Sequence, residues 1–271
     1  MTEKKVILIS GASSGFGKAS AEFLSRKGHI VYGTSRKSGL HCEGYNMIQM
    51  DVNLNESVKN AINHVISKEG RIDVLINNAG YAIAGSVEDT DISEIKDQFE
   101  TNFFGVFRMC SSVLSFMREK KSGLIINISS IAGIIGTPYQ SAYSASKFAL
   151  EGFTETLRME VKQFGIHTVL IEPGDFKTKI TENRIYTENS RKSEHYSKAF
   201  SKALTIMEKE EKRGPDPQIV ALLINKIINT NNPRLRYTTG PILEKFAVFL
   251  KKILHASLFE WLIMGNYNLR N

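Results

Sequence analysis

A chain of 271 residues, 42% hydrophobic and 23% charged, has the composition of a soluble globular protein, and its length suits one α/β domain. Two cysteines, Cys42 and Cys110, and six histidines without ligand spacing argue against a disulfide scaffold and predict no metal site. The net charge of +7 is uneven: residues 1–174 carry 18 basic and 18 acidic side chains and residues 175–271 carry 17 and 10, yet no basic-aromatic motif points to nucleic acid.

Met1 to Lys5 pass straight into Val6-Ile7-Leu8-Ile9, too soon for a signal peptide. That short apolar run reads as a buried parallel strand. Gly11-Ala12-Ser13-Ser14-Gly15-Phe16-Gly17 follows, then a helix over 18–27 closed by Gly28. Further strands are predicted over 30–34 and 47–50, the latter ending at Asp51, and a helix over 55–69. Strand 74–76 ends in Asn77-Asn78-Ala79-Gly80, and a long helical region covers 92–118. Strand 124–128 ends at Ser129-Ser130; a helix carrying Tyr143 and Lys147 runs to Phe164; strand 167–171 ends at Pro173-Gly174. This alternation predicts an α/β fold: a doubly wound parallel sheet of Rossmann type, with helices on both faces and a C-terminal helical extension. Residues 1–271 form one domain in this reading. Every loop of interest follows the C-terminal end of a strand, the rim where such sheets bind ligands.

Tyr143 and Lys147 stand four residues apart, so a helix stacks them on one face. A cation beside a phenol favours the phenolate and lowers its pKa, so the pair can exchange a proton with an alcohol or carbonyl. Such chemistry needs a hydride carrier. Glycines between a first strand and a first helix allow a tight turn and close approach to a pyrophosphate on the helix N-terminus.

Gly11-x-x-x-Gly15-x-Gly17, Asp51-Val52, Asn77-Asn78-Ala79-Gly80, Asn102 in Asn-Phe-Phe-Gly, Ser130, Tyr143-x-x-x-Lys147 and Pro173-Gly174 resemble, in order and spacing, the short-chain dehydrogenase/reductase family in its compact single-domain branch. The resemblance implies Tyr143 as general acid/base. It implies Lys147 as the residue that lowers the tyrosine pKa and bonds the nicotinamide ribose. Ser130 would hold the substrate oxygen, and Asn102 would prop a water joining the lysine to solvent. The implied cofactor-binding set is Gly11, Ser13, Ser14, Gly15, Phe16, Gly17, Ser35, Arg36, Asp51, Val52, Asn78, Ala79, Gly80, Tyr143, Lys147, Pro173, Gly174, Phe176 and Thr178, with no metal. Asp51 would meet the adenine edge, Asn78 the adenosine ribose side, and Pro173 to Thr178 the nicotinamide side.

NAD sites place a carboxylate after the second strand. Here the chain reads Thr34-Ser35-Arg36-Lys37, where Arg36 can pair with a 2′-phosphate, so NADP(H) is expected over NAD(H). Residues 175–213, polar and loosely helical, fall where the family keeps a substrate lid. Residues 241–264 read as one amphipathic helix starting at Pro241. Its charges exclude a transmembrane span, leaving peripheral membrane contact, packing on the domain or an oligomer contact as alternatives.

Ile171 to Thr178 and Pro233 to Tyr237 resemble the hydroxysteroid- and retinol-dehydrogenase-like branch, which implies a bulky apolar substrate: a steroid, a retinoid or a long-chain carbonyl. The expected protein is a cytoplasmic NADP-dependent enzyme of small-molecule alcohols or carbonyls, peripheral at a membrane surface if the C-terminal helix docks there. A homodimer or tetramer is implied through the helices around Asn102 and Tyr143. The alternatives are a reductase of small polar carbonyls and a non-catalytic NADP(H)-binding sensor.

Overall fold

The computed structural model describes residues 3–270. Strands β1 (Val6–Ile9), β2 (Ile30–Ser35), β3 (Asn46–Gln49), β4 (Val74–Asn77), β6 (Gly123–Ile128), β7 (Ile166–Pro173) and β9 (Arg236–Thr239) form a seven-stranded sheet in the order β3-β2-β1-β4-β6-β7-β9. Every pairing in it is parallel. The chain moves outward from β1 to β3, then crosses to β4 on the other side. A crevice therefore opens between the C-terminal ends of β1 and β4. The central strands are apolar throughout because both faces are covered: all four residues of β1 and of β4 are buried.

Helices α1 (Gly15–Arg26) and α9 (Gln218–Ile228) cover one face, packing Leu24, Val220 and Ile224 on Ile7, Ile9 and Ile76. On the other face lie α2 (Asn55–Glu69), α4 (Gly105–Glu119) and α5 (Ser141–Val161), with Ile62, Met109 and Leu150 on Leu8, Leu75 and Ile125. The doubly wound parallel sheet expected from the alternation is the fold observed. Helix α2 has the predicted bounds, stopped by Gly70 at φ +67°.

Three elements differ from expectation. The region 92–118 is not one uniform helix: α3 (Ile92–Phe99) and α4 are joined by a π-helical turn over Glu100–Phe104, where the Gly105 N–H reaches the Glu100 carbonyl. The seventh strand, β9, was not predicted because its half-buried Arg-Tyr-Thr-Thr sequence lacks an apolar run. Residues 241–264 are not a single helix. They form α10 (Ile242–Ile253) and α11 (Ala256–Asn266), separated by Leu254 and His255 in extended conformation. The break lets Val248 and Phe259 meet Ile135 in one small core.

The segment 175–213 is more regular than expected. It holds α6 (Ile180–Asn183), β8 (Ile185–Tyr186), α7 (Glu188–Lys192) and the long α8 (Ser197–Arg213). Strand β8 pairs with β5 (Ile83–Ala84), tying this segment to the loop after β4.

Candidate active site

The glycine loop is built for close approach. Gly11 and Gly15 have φ of +67° and +54°, a region that favours glycine. A Cβ on Gly17 would lie 2.3 Å from the Gly11 carbonyl oxygen and 2.5 Å from Asn78 Nδ2. Asn78 braces the loop from below: its Nδ2 donates to the Ser10 and Gly11 carbonyls at 3.0 and 2.9 Å. Ser10 Oγ in turn accepts from the Asn78 and Ala79 N–H groups. Asn78 thus shapes the loop itself, a role the expectation of a ribose-side contact did not include. No side chain caps α1 and no acidic residue occupies its first turn, so its N-terminal amides are left for an anion. Ser13 is exposed and Ser14 is the residue before the helix.

At the end of β2, Ser35 is buried and Arg36 exposed, with no carboxylate at either position. Asp51 spends one carboxylate oxygen on the Asn53 N–H, at 3.0 Å. Val52 is buried where a Cβ on Gly105 would meet its Cγ2 at 2.9 Å. Across the crevice, Phe16 and Phe176 meet edge to face at 5.2 Å, and Thr178 lies over Gly15. Gly80 stands beside Asn102 Oδ1. Apart from Tyr143 and Lys147 on α5, the predicted cofactor residues thus stand at or after the C-terminal ends of β1, β2, β3, β4 and β7.

Asn102 is fully buried in the π-helical turn. It bonds both backbone groups of Tyr81, Oδ1 accepting at 3.1 Å and Nδ2 donating at 3.0 Å, and reaches Ser146 Oγ at 3.2 Å. This ties the turn to α5 one residue from Lys147. Lys147 Nζ donates to the Ile128 carbonyl at 2.8 Å and lies 5.8 Å from the Tyr143 ring centroid. Ser130 Oγ accepts from the Ala132 N–H at 3.1 Å and donates to the Pro173 carbonyl at 3.4 Å.

Burial dominates the titration of the pair. It pushes the Tyr143 phenol above its ordinary value, with the Ser130 hydroxyl and the Arg184 guanidinium pulling it back. It drives the Lys147 ammonium down to about 8, against the attraction of Glu151. The expected lowering of the tyrosine by the lysine is not what the protein atoms alone produce. Both groups are buried, and desolvation disfavours each charged form.

Ser130, Tyr143, Pro173, Gly174, Phe176 and Thr178 line one cavity of about 230 Å³. A second cavity, about 640 Å³, lies beyond β2 and β3 around Tyr32, His41 and Tyr45 and contains none of the predicted site residues. Sequence reading missed a charged group in the first cavity: Arg184, Glu211, Glu244 and Tyr267, with Asp175 beside them. They come from four separate elements, so no spacing could have joined them. A Cβ on Gly174 would strike Glu244 Oε2, which shows how closely α10 seats on the loop after β7. Among the described residues no cluster of metal-ligating side chains occurs.

The profile of the short chain dehydrogenase family matches residues 5–189. The chain is 45% identical to the 3-ketodihydrosphingosine reductase of Bacteroides thetaiotaomicron, over 99% of this chain and 100% of that one. It is 31% identical to retinol dehydrogenase 8 of Bos taurus, over 98% and 94% of the two chains. The solved short-chain dehydrogenase of Streptomyces avermitilis superposes with a TM-score of 0.82 at 33% identity, covering 98% of each chain.

Proposed function

The chain belongs to the short-chain dehydrogenase family, and from that premise we propose that it is an NADP(H)-dependent reductase of a long-chain, lipid-like ketone, with Tyr143 as acid/base. The observation that carries this reading is the half-buried Ser130 with the buried Tyr143 and Lys147 at a cavity whose other walls include Ile180, Ile206 and Met207. The likeness to a 3-ketodihydrosphingosine reductase along the whole chain supports the substrate class.

The cofactor set fits a dinucleotide. The uncapped N-terminus of α1 and the glycine loop would hold the pyrophosphate, and Arg36 would pair with the 2′-phosphate. The nicotinamide, when bound, supplies the hydride. Ser130 and Tyr143 hold the substrate oxygen by their hydroxyls. Tyr143 gives its proton to that oxygen as negative charge develops there. Lys147 stabilises the phenolate left behind, and burial away from the high dielectric of bulk solvent strengthens that interaction. Asn102 holds α5 and the π-helical turn together, which fixes Lys147 in register.

Two surfaces complete the proposal. Phe104, Phe107, Phe148 and Met159 are exposed on α4, α5 and the turn before α4, where a second copy would pair. Ile242, Leu243, Phe246 and Phe249 on α10 and Trp261 on α11 are exposed near Lys245 and Lys252, a pattern suited to peripheral contact with an anionic bilayer. Among the described residues no helix is long and apolar enough to cross a membrane.

Loss of NADPH absorbance tests the reading. 3-Ketodihydrosphingosine is expected to be turned over with a kcat/KM at least tenfold above that of small polar carbonyls, and Tyr143→Phe to abolish turnover while NADPH still binds. Preference for the small carbonyls, or full activity in Tyr143→Phe, would overturn it. Tight NADPH binding without turnover of any carbonyl would favour a sensor.

A further inference from the structure

The charged group in the cavity wall neither gives nor takes a proton in the transfer described above. Asp175 follows β7, Arg184 ends α6, Glu211 lies near the end of α8, Glu244 on the first turn of α10, and Tyr267 follows α11. Arg184 and Glu211 form an ion pair whose side chains are 1% and 7% exposed. Only Nη2 of the guanidinium is used; Nε and Nη1 have no hydrogen-bond partner. Glu244 Oε2 accepts from the Asp175 N–H at 2.9 Å, and the Glu244 carboxylate lies near enough to the Asp175 carboxyl to raise it.

The charges do not balance. Four carboxyls, on the half-buried Asp175 and Glu244, the buried Glu211 and the exposed Glu210, line the cavity against one guanidinium, and charge withdrawn from water needs a partner. Burial and the neighbouring Glu244 raise the Asp175 carboxyl well above its ordinary value, and burial raises Glu244 as well. A cation brought beside the two carboxyls would favour their charged forms. Buried donors also need acceptors, and Arg184 has two to spare. An anionic ligand would satisfy Arg184 and be repelled by the carboxyls. A ligand that answers both demands carries an ammonium and, close by, a neutral oxygen.

We infer that Asp175, Glu244 and Arg184 form a head-group pocket that selects long-chain ketones bearing an amine and a hydroxyl beside the carbonyl, the ammonium resting on Asp175 and Glu244 and the hydroxyl on Arg184. This deepens the reading of the chain as a long-chain ketone reductase and rests on it. The pocket adjoins the proton donor, since Arg184, Glu211 and Asp175 all act on the Tyr143 phenol through space. The cavity, about 230 Å³, is smaller than the roughly 300–1,000 Å³ of sites that enclose a drug-sized ligand. It takes the polar head and the carbonyl, and the chain leaves past Ile206, Met207 and Leu243.

Two measurements on the full chain loaded with NADPH test this. The first compares kcat/KM for 2-amino-1-hydroxyoctadecan-3-one and octadecan-3-one. The second compares binding of hexadecylamine and hexadecanol by calorimetry, which requires no turnover. The amine is expected to win both comparisons by roughly ten- to a hundredfold, the range a charge-assisted hydrogen bond supplies. In Asp175→Asn/Glu244→Gln the preference is expected to fall to near unity; if thermal melting shows that variant unfolded, Glu244→Gln alone is read the same way. Equal treatment of amine and neutral compounds by the parent chain, or full preference in a folded variant, would overturn the pocket. Amine-selective binding with neither ketone reduced would instead support the pocket and overturn the reductase reading.

Discussion

Lys147 donates to the Ile128 carbonyl at 2.8 Å, and this one bond holds a fully buried ammonium in place. Folding lowers the lysine pKa from 10.5 to about 8 by burial. The charged form is therefore disfavoured by folding. That penalty is complete below pH 8, shrinks as pH rises from 8 to 10.5, and is gone above 10.5, where the unfolded chain is neutral too. Its size is about 3 kcal/mol, less about 1 for the hydrogen bond lost on substitution. Lys147→Met is thus expected to lower kcat by at least about a hundredfold yet raise Tm at pH 7 by several degrees. Melting curves between pH 6 and 10.5 check it; a destabilised variant at pH 7 would refute the account.

Gly17→Ala places a methyl group 2.3 Å from the Gly11 carbonyl oxygen, against backbone that has nowhere to go. The same methyl pushes on Asn78, which braces the loop. Overpacking of this kind costs about 1–3 kcal/mol. A larger effect is expected on NADPH affinity, because the loop must keep its shape for the pyrophosphate. Fluorescence titration should show at least a tenfold weaker Kd, and urea melting a smaller loss of stability.

Arg36 is exposed at the end of β2 with no carboxylate beside it in sequence. Arg36→Ala should raise KM for NADPH by roughly ten- to a hundredfold, the value of one charge-assisted contact. KM for NADH should barely change. An equal effect on both cofactors would mean that Arg36 holds something other than the 2′-phosphate.

Phe246 and Phe249 stack at 6.2 Å on α10, each about half exposed. The intact protein should float with vesicles containing anionic lipid. Phe246→Ser/Phe249→Ser should remain at the bottom of the gradient while binding NADPH normally. Flotation of both would place the contact elsewhere.

What the sequence disclosed and what it withheld divide along a physical line. Strands such as Val6–Ile9 are buried on both faces, so their apolar runs are visible in one dimension. Gly11, Gly15, Tyr143 and Lys147 could be read because turn geometry and helix pitch impose short, regular spacings. The π-helical turn at Asn102 carries no such signature, since one added residue in a helix leaves composition unchanged. Strand β9 needed only an edge place beside β7, so it required no apolar pattern. Asp175, Arg184, Glu211 and Glu244 meet only because α6, α8 and α10 fold over the loop after β7; nothing local ties them together.

The Arg184–Glu211 pair offers the sharpest test of that assembly. Glu211 accepts from Arg184 and from Thr181, and both members of the pair are almost fully buried. Burying two charges is expensive, and their attraction recovers the expense only while both are present. Glu211→Leu leaves a buried guanidinium without its hydrogen-bonded counter-charge and should destabilise by about 3–5 kcal/mol. Arg184→Met/Glu211→Leu removes both charges and keeps the volume apolar, so most of that loss should return. The double-mutant cycle, read by denaturant melting, would then give a coupling well above the roughly 0.5–3 kcal/mol ordinary for neighbours, or at its top. The double variant should also lose discrimination for a ligand hydroxyl, because Nε and Nη1 go with the guanidinium. If Glu211→Leu alone melts like the parent chain, the pair is solvated in solution, and the cavity wall is more open than its buried ion pair implies.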